Sequence, residues 1–194
     1  MKFFKIFFTL SLSISLVTSV IVSCKKADPV DPCANIVCSN NGSCFDGTCQ
    51  CTQGYTGTYC QTQLRPSAMI IKTITITKFP TTTSAGSSWD IPASLPDIYP
   101  EIHLGSSYLW VSSKYVSNAT GSSTFDCNYR ITDLSQTYGF GVWDFDGGTS
   151  IDPDDHMGGL STVLYSVTGG FPKTITLQCA TCAVALTLNV SYEW

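Results

Sequence analysis

The sequence predicts a mainly β protein, in which a small disulfide-rich module precedes an eight-stranded antiparallel Greek-key β-sandwich. Three observations carry that reading. From Val184 to Trp194, Val184, Leu186, Leu188, Val190, Tyr192 and Trp194 fall on one face and Ala185, Thr187, Asn189, Ser191 and Glu193 on the other. Such period-two alternation is the mark of a half-buried antiparallel strand. The segments between alternating runs are rich in Gly, Pro, Ser and Thr, and few stretches offer a helical stripe. Six of the ten cysteines lie between Cys33 and Cys60, among only Ile36, Val37, Phe45, Tyr55 and Tyr59 as sizeable apolar groups. A segment so poor in core must be held by disulfides, worth about 2 to 4 kcal/mol each.

The first element is a leader. Lys2 and Lys5 form a basic start, Ile6 to Val22 is apolar, and the run ends at Ile21-Val22-Ser23-Cys24. The run is short for a membrane span and is flanked by a small residue, as at a cleavage site. The tetrad resembles a bacterial lipobox. The resemblance implies a lipoprotein signal peptide over residues 1–23 and a lipidated Cys24. It further implies attachment to the outer membrane of a bacterial cell envelope, facing the periplasm or the exterior. Residues 24–32, with Pro29 and Pro32, read as the tether. Ten cysteines agree with export to an oxidising compartment. The net charge is −4, and loss of Lys2 and Lys5 with the leader makes it more negative. No basic footprint for nucleic acid is present.

The second element is residues 33–60. Spacing alone allows fifteen pairings of six cysteines. The pattern Cys33-x4-Cys38-x5-Cys44-x4-Cys49-x-Cys51-x8-Cys60, with Gly54-Tyr55 and Gly57 in the last interval, resembles an epidermal-growth-factor-like (EGF-like) module. The resemblance implies the bridges Cys33–Cys44, Cys38–Cys49 and Cys51–Cys60. The calcium-binding members of that family carry an acidic and amide pair before the first cysteine. Asp28-Pro29-Val30-Asp31-Pro32 lacks it, so this module is expected to bind no calcium and to act as a spacer or contact knob.

Residues 61–67 read as a linker and residues 68–194 as the sandwich. Its eight expected strands are Met69–Phe79, Tyr99–Leu104, Tyr108–Val116, Thr124–Ile131, Tyr138–Phe145, Met157–Tyr165, Thr174–Cys179 and Cys182–Trp194. Cys127 shares an apolar face with Phe125 and Tyr129 and is expected to be a buried free thiol. Cys179 and Cys182 flank a hairpin end, within the spacing of a disulfide.

The chemistry concentrates in Val142-Trp143-Asp144-Phe145-Asp146-Gly147-Gly148-Thr149-Ser150-Ile151-Asp152-Pro153-Asp154-Asp155, which holds five aspartates and no Lys or Arg. Two carboxylates about 6 Å apart repel by roughly 3 kcal/mol at an effective dielectric near 20. A cation is expected there, and hard oxygen ligands on a Gly-containing loop suit Ca²⁺. Asp144 and Asp146, two apart on a strand end, present their carboxylates to one side. A second acidic loop runs from Trp89-Asp90 to Pro96-Asp97-Ile98-Tyr99.

This loop pair resembles that of a C2 domain, where an Asp-x-Tyr ends the first loop and an aromatic-Asp-x-Asp opens the third, followed by Asp-x-x-Gly. Here Asp97-Ile98-Tyr99, Trp143-Asp144-Phe145-Asp146 and Asp155-His156-Met157-Gly158 carry the match. The resemblance implies Asp97, Asp144, Asp146 and Asp155 as Ca²⁺ ligands, with Asp90 as the early ligand of the first loop. The interval after Asp146 is longer than the family's, so Asp152 competes with Asp155 for one position or shares it.

No Gly-x-Ser-x-Gly or His-Glu-x-x-His occurs, and the histidines are His103 and His156 alone. The expectation is a non-catalytic, lipid-anchored binding or adhesion protein contacting an extracellular protein, a glycan or phospholipid. The loop tips offer Trp89, Ile91 and Ile151 without a basic rim, which argues against membrane docking as the main role. The alternatives are a carbohydrate-binding jelly roll using Trp110, Tyr108 and Tyr115 without functional calcium, and an extracytoplasmic hydrolase. The sequence carries no reading of oligomeric state.

Overall fold

A computed structural model describes residues 30–90, 94–147 and 153–194. The expected signal peptide, the lipidated Cys24, most of the tether and Asp152 lie outside the described residues, as do Ile91 and Ile151. Among the described residues the secondary structure is all β.

The cysteine-rich segment is two short ladders. β1 (Ser43–Phe45) pairs antiparallel with β2 (Thr48–Gln50), and β3 (Tyr55–Thr56) with β4 (Thr62–Gln63). Asp46 and Gly47 both take positive φ, which gives the β1–β2 hairpin its tight turn. The three bridges are those implied by the EGF-like pattern, Cys33–Cys44, Cys38–Cys49 and Cys51–Cys60. Cys60 is its one fully buried apolar side chain, so the bridges take the place of a core.

Residues 61–67 are not a free linker. Thr62–Gln63 form β4, and Ser67 N–H donates to the Glu193 carbonyl. Gln63 binds the Tyr165 hydroxyl, the Ser166 carbonyl and the Gly170 N–H. The Phe171 ring packs edge-on to Tyr55, Tyr192 and Trp194. The sequence concealed this contact because its halves are more than a hundred residues apart.

The sandwich contains all eight expected strands. They are β5 (Ala68–Lys78), β6 (Ile98–Leu104), β7 (Ser107–Val111), β8 (Ser123–Ile131), β9 (Thr137–Asp144), β10 (Asp155–Val163), β11 (Thr174–Leu177) and β12 (Ala185–Glu193). One sheet runs β10-β9-β6-β7 and the other β11-β12-β5-β8, and every pairing is antiparallel. The inward residues Ile71, Ile74, Ile76, Ile102, Phe140, Val142, Leu186 and Leu188 are fully buried between the sheets. β7 ends at Val111 rather than Val116. Beyond it the chain turns, and Val116 keeps only an isolated bridge to Ile98. Cys127 is a free thiol but only half-buried, and Cys179 and Cys182 are bridged.

Candidate metal centre

Three inter-strand loops meet at one end of the sandwich. The β5–β6 loop docks on the β9–β10 loop through Phe145 N–H to the Asp97 carbonyl, and on the β7–β8 loop through Ala119 N–H to the Pro96 carbonyl. The topology explains the meeting. β6 is central in its sheet, so its first residue Ile98 pairs with Asp144 of β9 and bridges to Val116.

Asp144 continues the inward column of β9. Phe140 and Val142 fill the core below it, and Asp144 itself is 0% exposed. One carboxylate oxygen accepts the Asp97 N–H at 2.5 Å. The other is buried without a hydrogen-bond partner among the described residues. Burial pushes this carboxyl up to about 6, and the charges of Asp90, Asp97 and Asp155 add to the rise against the pull of the Asp97 N–H. A buried carboxylate with an unused oxygen is costly unless something electropositive meets it.

Asp90, Asp144 and Asp146 each bring a carboxylate oxygen to within 4.8 Å of the other two. At about 5 Å and an effective dielectric near 20, each ionised pair repels by about 3 kcal/mol. Asp90 is held by the Ser94 hydroxyl at 2.5 Å, and its loop is pinned by Trp89 Nε1 donating to the Pro80 carbonyl. Asp97 stands beside this trio, with its carboxylate accepting the Asn118 N–H at 2.7 Å. Asp155 is exposed and lies opposite Asp144 in the β9–β10 ladder. The structure thus joins Asp90, Asp144 and Asp146 directly and sets Asp97 and Asp155 next to them. Asp152 lies outside the described residues.

The residues fit a hard divalent cation. All the donors are carboxylate oxygens, one oxygen of Asp144 has no other partner, and no cationic side chain pairs with Asp144 among the described residues. Such a set suits Ca²⁺, which accepts six to eight oxygens in flexible geometry.

Other residues at this end were not legible beforehand. Asp154 accepts the Tyr99 hydroxyl at 2.9 Å and the Asp146 N–H at 3.1 Å, which ties the acidic loop to β6. Burial, then the Asp154 contact, raises the Tyr99 hydroxyl well above its ordinary value. Tyr115 of the β7–β8 loop stacks on Phe145, with ring centroids 4.2 Å apart. Lys114 lines the same hollow as Tyr99, Phe145 and Asp154, so the loop end does have a basic residue, contributed by the third loop. Tyr115 therefore belongs to the loop end. Of the three expected sugar-contact aromatics, Tyr108 and Tyr115 are exposed, and Trp110 packs partly against the core.

A family model described as a Teneurin-like EGF domain matches residues 36–63. No curated protein matches the chain. Among solved structures, one titled "Structure of a C2 domain" is similar with a TM-score of 0.43 and 13% identity, over 66% of this chain and 98% of that one. A structure of extended-synaptotagmin 2 that spans its SMP domain and both of its C2 domains is similar with a TM-score of 0.47 and 17% identity, over 66% of this chain and 27% of that one. A structure of the same protein's two C2 domains without the SMP domain gives 0.42 and 20%, over 74% and 47%. This chain spans less than half of either extended-synaptotagmin chain.

Proposed function

We propose that this chain is a non-catalytic extracytoplasmic binding protein whose sandwich carries a Ca²⁺ site in its loop end. The observation that supports it best is the Asp90, Asp144 and Asp146 trio, closed to within 4.8 Å around a buried Asp144 with an unpartnered oxygen. Asp144 and Asp146 are the central ligands, Asp90 completes the trio, and Asp97, Asp155 and Asp152 are the neighbouring carboxylates available to an ion of high coordination number. A bound cation removes the repulsion within the trio and fixes the β5–β6 and β9–β10 loops against each other. The ordered loop surface then contacts a protein or glycan outside the cell.

Four disulfides among the described residues agree with an oxidising, extracytoplasmic address. We assign the anchor to lipidated Cys24 on the strength of Ile21-Val22-Ser23-Cys24, which would hold the protein on the outer membrane. Catalysis is not part of this reading, which follows a sequence without Gly-x-Ser-x-Gly or His-Glu-x-x-His.

Isothermal titration of the chelator-treated protein with CaCl₂ tests the proposal. Saturable binding that Asp144→Asn removes supports it, and absence of heat together with an unchanged melting temperature overturns it.

A further inference from the structure

The outer face of the β10-β9-β6-β7 sheet holds a second constellation that the loop end does not use. Both histidines lie on it, together with the buried Glu101, which is 4% exposed. β9 is cleared of side chains there. A Cβ on Gly139 would fall 1.9 Å from His103 Nε2, and one on Gly141 would fall 2.5 Å from Glu101 Oε1. The imidazole and carboxylate of β6 therefore lie flat in the space the two glycines leave open. His103 Nδ1 stands 3.3 Å from Glu101 Oε1, which orients the pair and leaves Nε2 as its second polar edge.

A groove of about 300 Å³ runs over this pair, from Tyr108 at one end to Trp143 and His156 at the other. Tyr108 is 61% exposed. Trp143 lies against the His156 ring at 4.8 Å, and its indole N–H has no acceptor among the described residues. We propose that this groove binds a neutral saccharide of at least two rings, with Tyr108 and Trp143 as stacking platforms and Glu101 with His103 as the hydroxyl-binding centre.

The chemistry selects that class. No Lys or Arg lines the groove, and a carboxylate lies at its floor, so phosphate and carboxylate ligands are disfavoured. A fatty chain would cover the Glu101 carboxylate and the His103 imidazole without hydrogen-bonding either, which is costly. Hydroxyls match it, because they donate to Glu101 and exchange hydrogen bonds with His103, while sugar C–H faces cover aromatic rings. The register sets Tyr108 opposite His103, and His103 opposite Gly139. Trp143 is thus two strands across and four residues along, roughly 16 Å away between Cα atoms. The two aromatic side chains rise from well-separated points of the sheet and can support two ends of an extended, flat ligand. This inference is independent of the Ca²⁺ reading, since the groove is on the sheet face rather than among the loops.

The test is an array of neutral oligosaccharides probed with the whole protein in chelator, followed by titration of tryptophan fluorescence with the best-retained glycan. The expected result is binding that calcium leaves unchanged, weakened about tenfold by Tyr108→Ala and similarly by Glu101→Gln, with Trp143→Phe removing most of the fluorescence response. Tyr108 is exposed, so its substitution is expected to leave the melting temperature unchanged and keep the test valid if the other variants misfold. Retention of no neutral glycan, or equal affinity of Tyr108→Ala and the native protein, overturns the proposal. So does glycan binding that requires calcium, which would move the ligand to the loop end.

Discussion

The main-chain N–H of Asp97 holds one carboxylate oxygen of Asp144 at 2.5 Å, while the other oxygen of Asp144 is buried without a hydrogen-bond partner among the described residues. The β5–β6 loop thus fixes Asp144, the last residue of β9, in place. It satisfies only half of that carboxylate.

Removing the charge should therefore stabilise the cation-free protein while destroying its response to calcium. Asp144→Asn is expected to raise the melting temperature in chelator and to abolish the calcium-induced rise. Asp154→Asn, which disturbs contacts to Tyr99 and the Asp146 N–H instead, should retain most of that rise. Differential scanning calorimetry of both variants with and without calcium makes the comparison.

The raised Asp144 carboxyl sets a pH dependence with a definite sign. It titrates at about 6 in the fold, chiefly because of burial, against about 3.9 in an unfolded chain. Between those values the folded state holds a proton that the unfolded state has lost, so cation-free stability falls as pH rises from about 4 to about 6 and then levels. One pH unit between the two titrations corresponds to about 1.4 kcal/mol. Urea melts in chelator across that window should show the fall, and Asp144→Asn should flatten it. Below it Asp133, lowered to about 2 by its Ser135 and Gln136 hydrogen bonds, acts with the opposite sign.

Gly54 sits at a close contact between the EGF-like module and the sandwich. Its φ is 90°, and a Cβ there would lie 2.4 Å from both the Phe171 and Trp194 rings. Gly54→Ala is expected to destabilise the contact by about 2 kcal/mol, from backbone strain and overpacking together. Limited proteolysis should then cut between residues 61 and 67 faster than it cuts the native protein there.

The Cys127 thiol is pushed up to about 11 by burial. Because thiolate is the reactive form, Cys127 should label slowly with a disulfide reagent at pH 8 and rapidly once the protein is unfolded. Thiol titration in native buffer and in guanidinium measures the difference.

Much of this architecture was legible because it rests on local pattern. Alternating or apolar runs between turn-rich segments located all eight sandwich strands, and the EGF-like spacing implied the three bridges found. The end of β7 was misjudged because Ser112-Ser113-Lys114-Tyr115-Val116 keeps β-prone residues after the ladder has stopped. At the loop end, charge density and strand parity singled out Asp144 and Asp146, and the resemblance to a C2 loop pair singled out Asp90. Asp154 and Lys114 gave no comparable signal, because their roles arise from contacts across 55 residues and from a third loop. The Phe171 contacts and the groove over Gly139 and Gly141 were hidden for the same reason. A glycine that makes room for a neighbouring strand's imidazole looks, in sequence, like any other glycine.

The most direct test of the central claim is the melting temperature of the purified protein at neutral pH in chelator and in excess calcium. Calcium at about a hundred times its Kd should add about 2.7 kcal/mol, or roughly 10 °C for a sandwich of this size. Identical melting in chelator and in millimolar calcium would contradict the account, and Asp90, Asp144 and Asp146 would then be an acidic cluster without an ion.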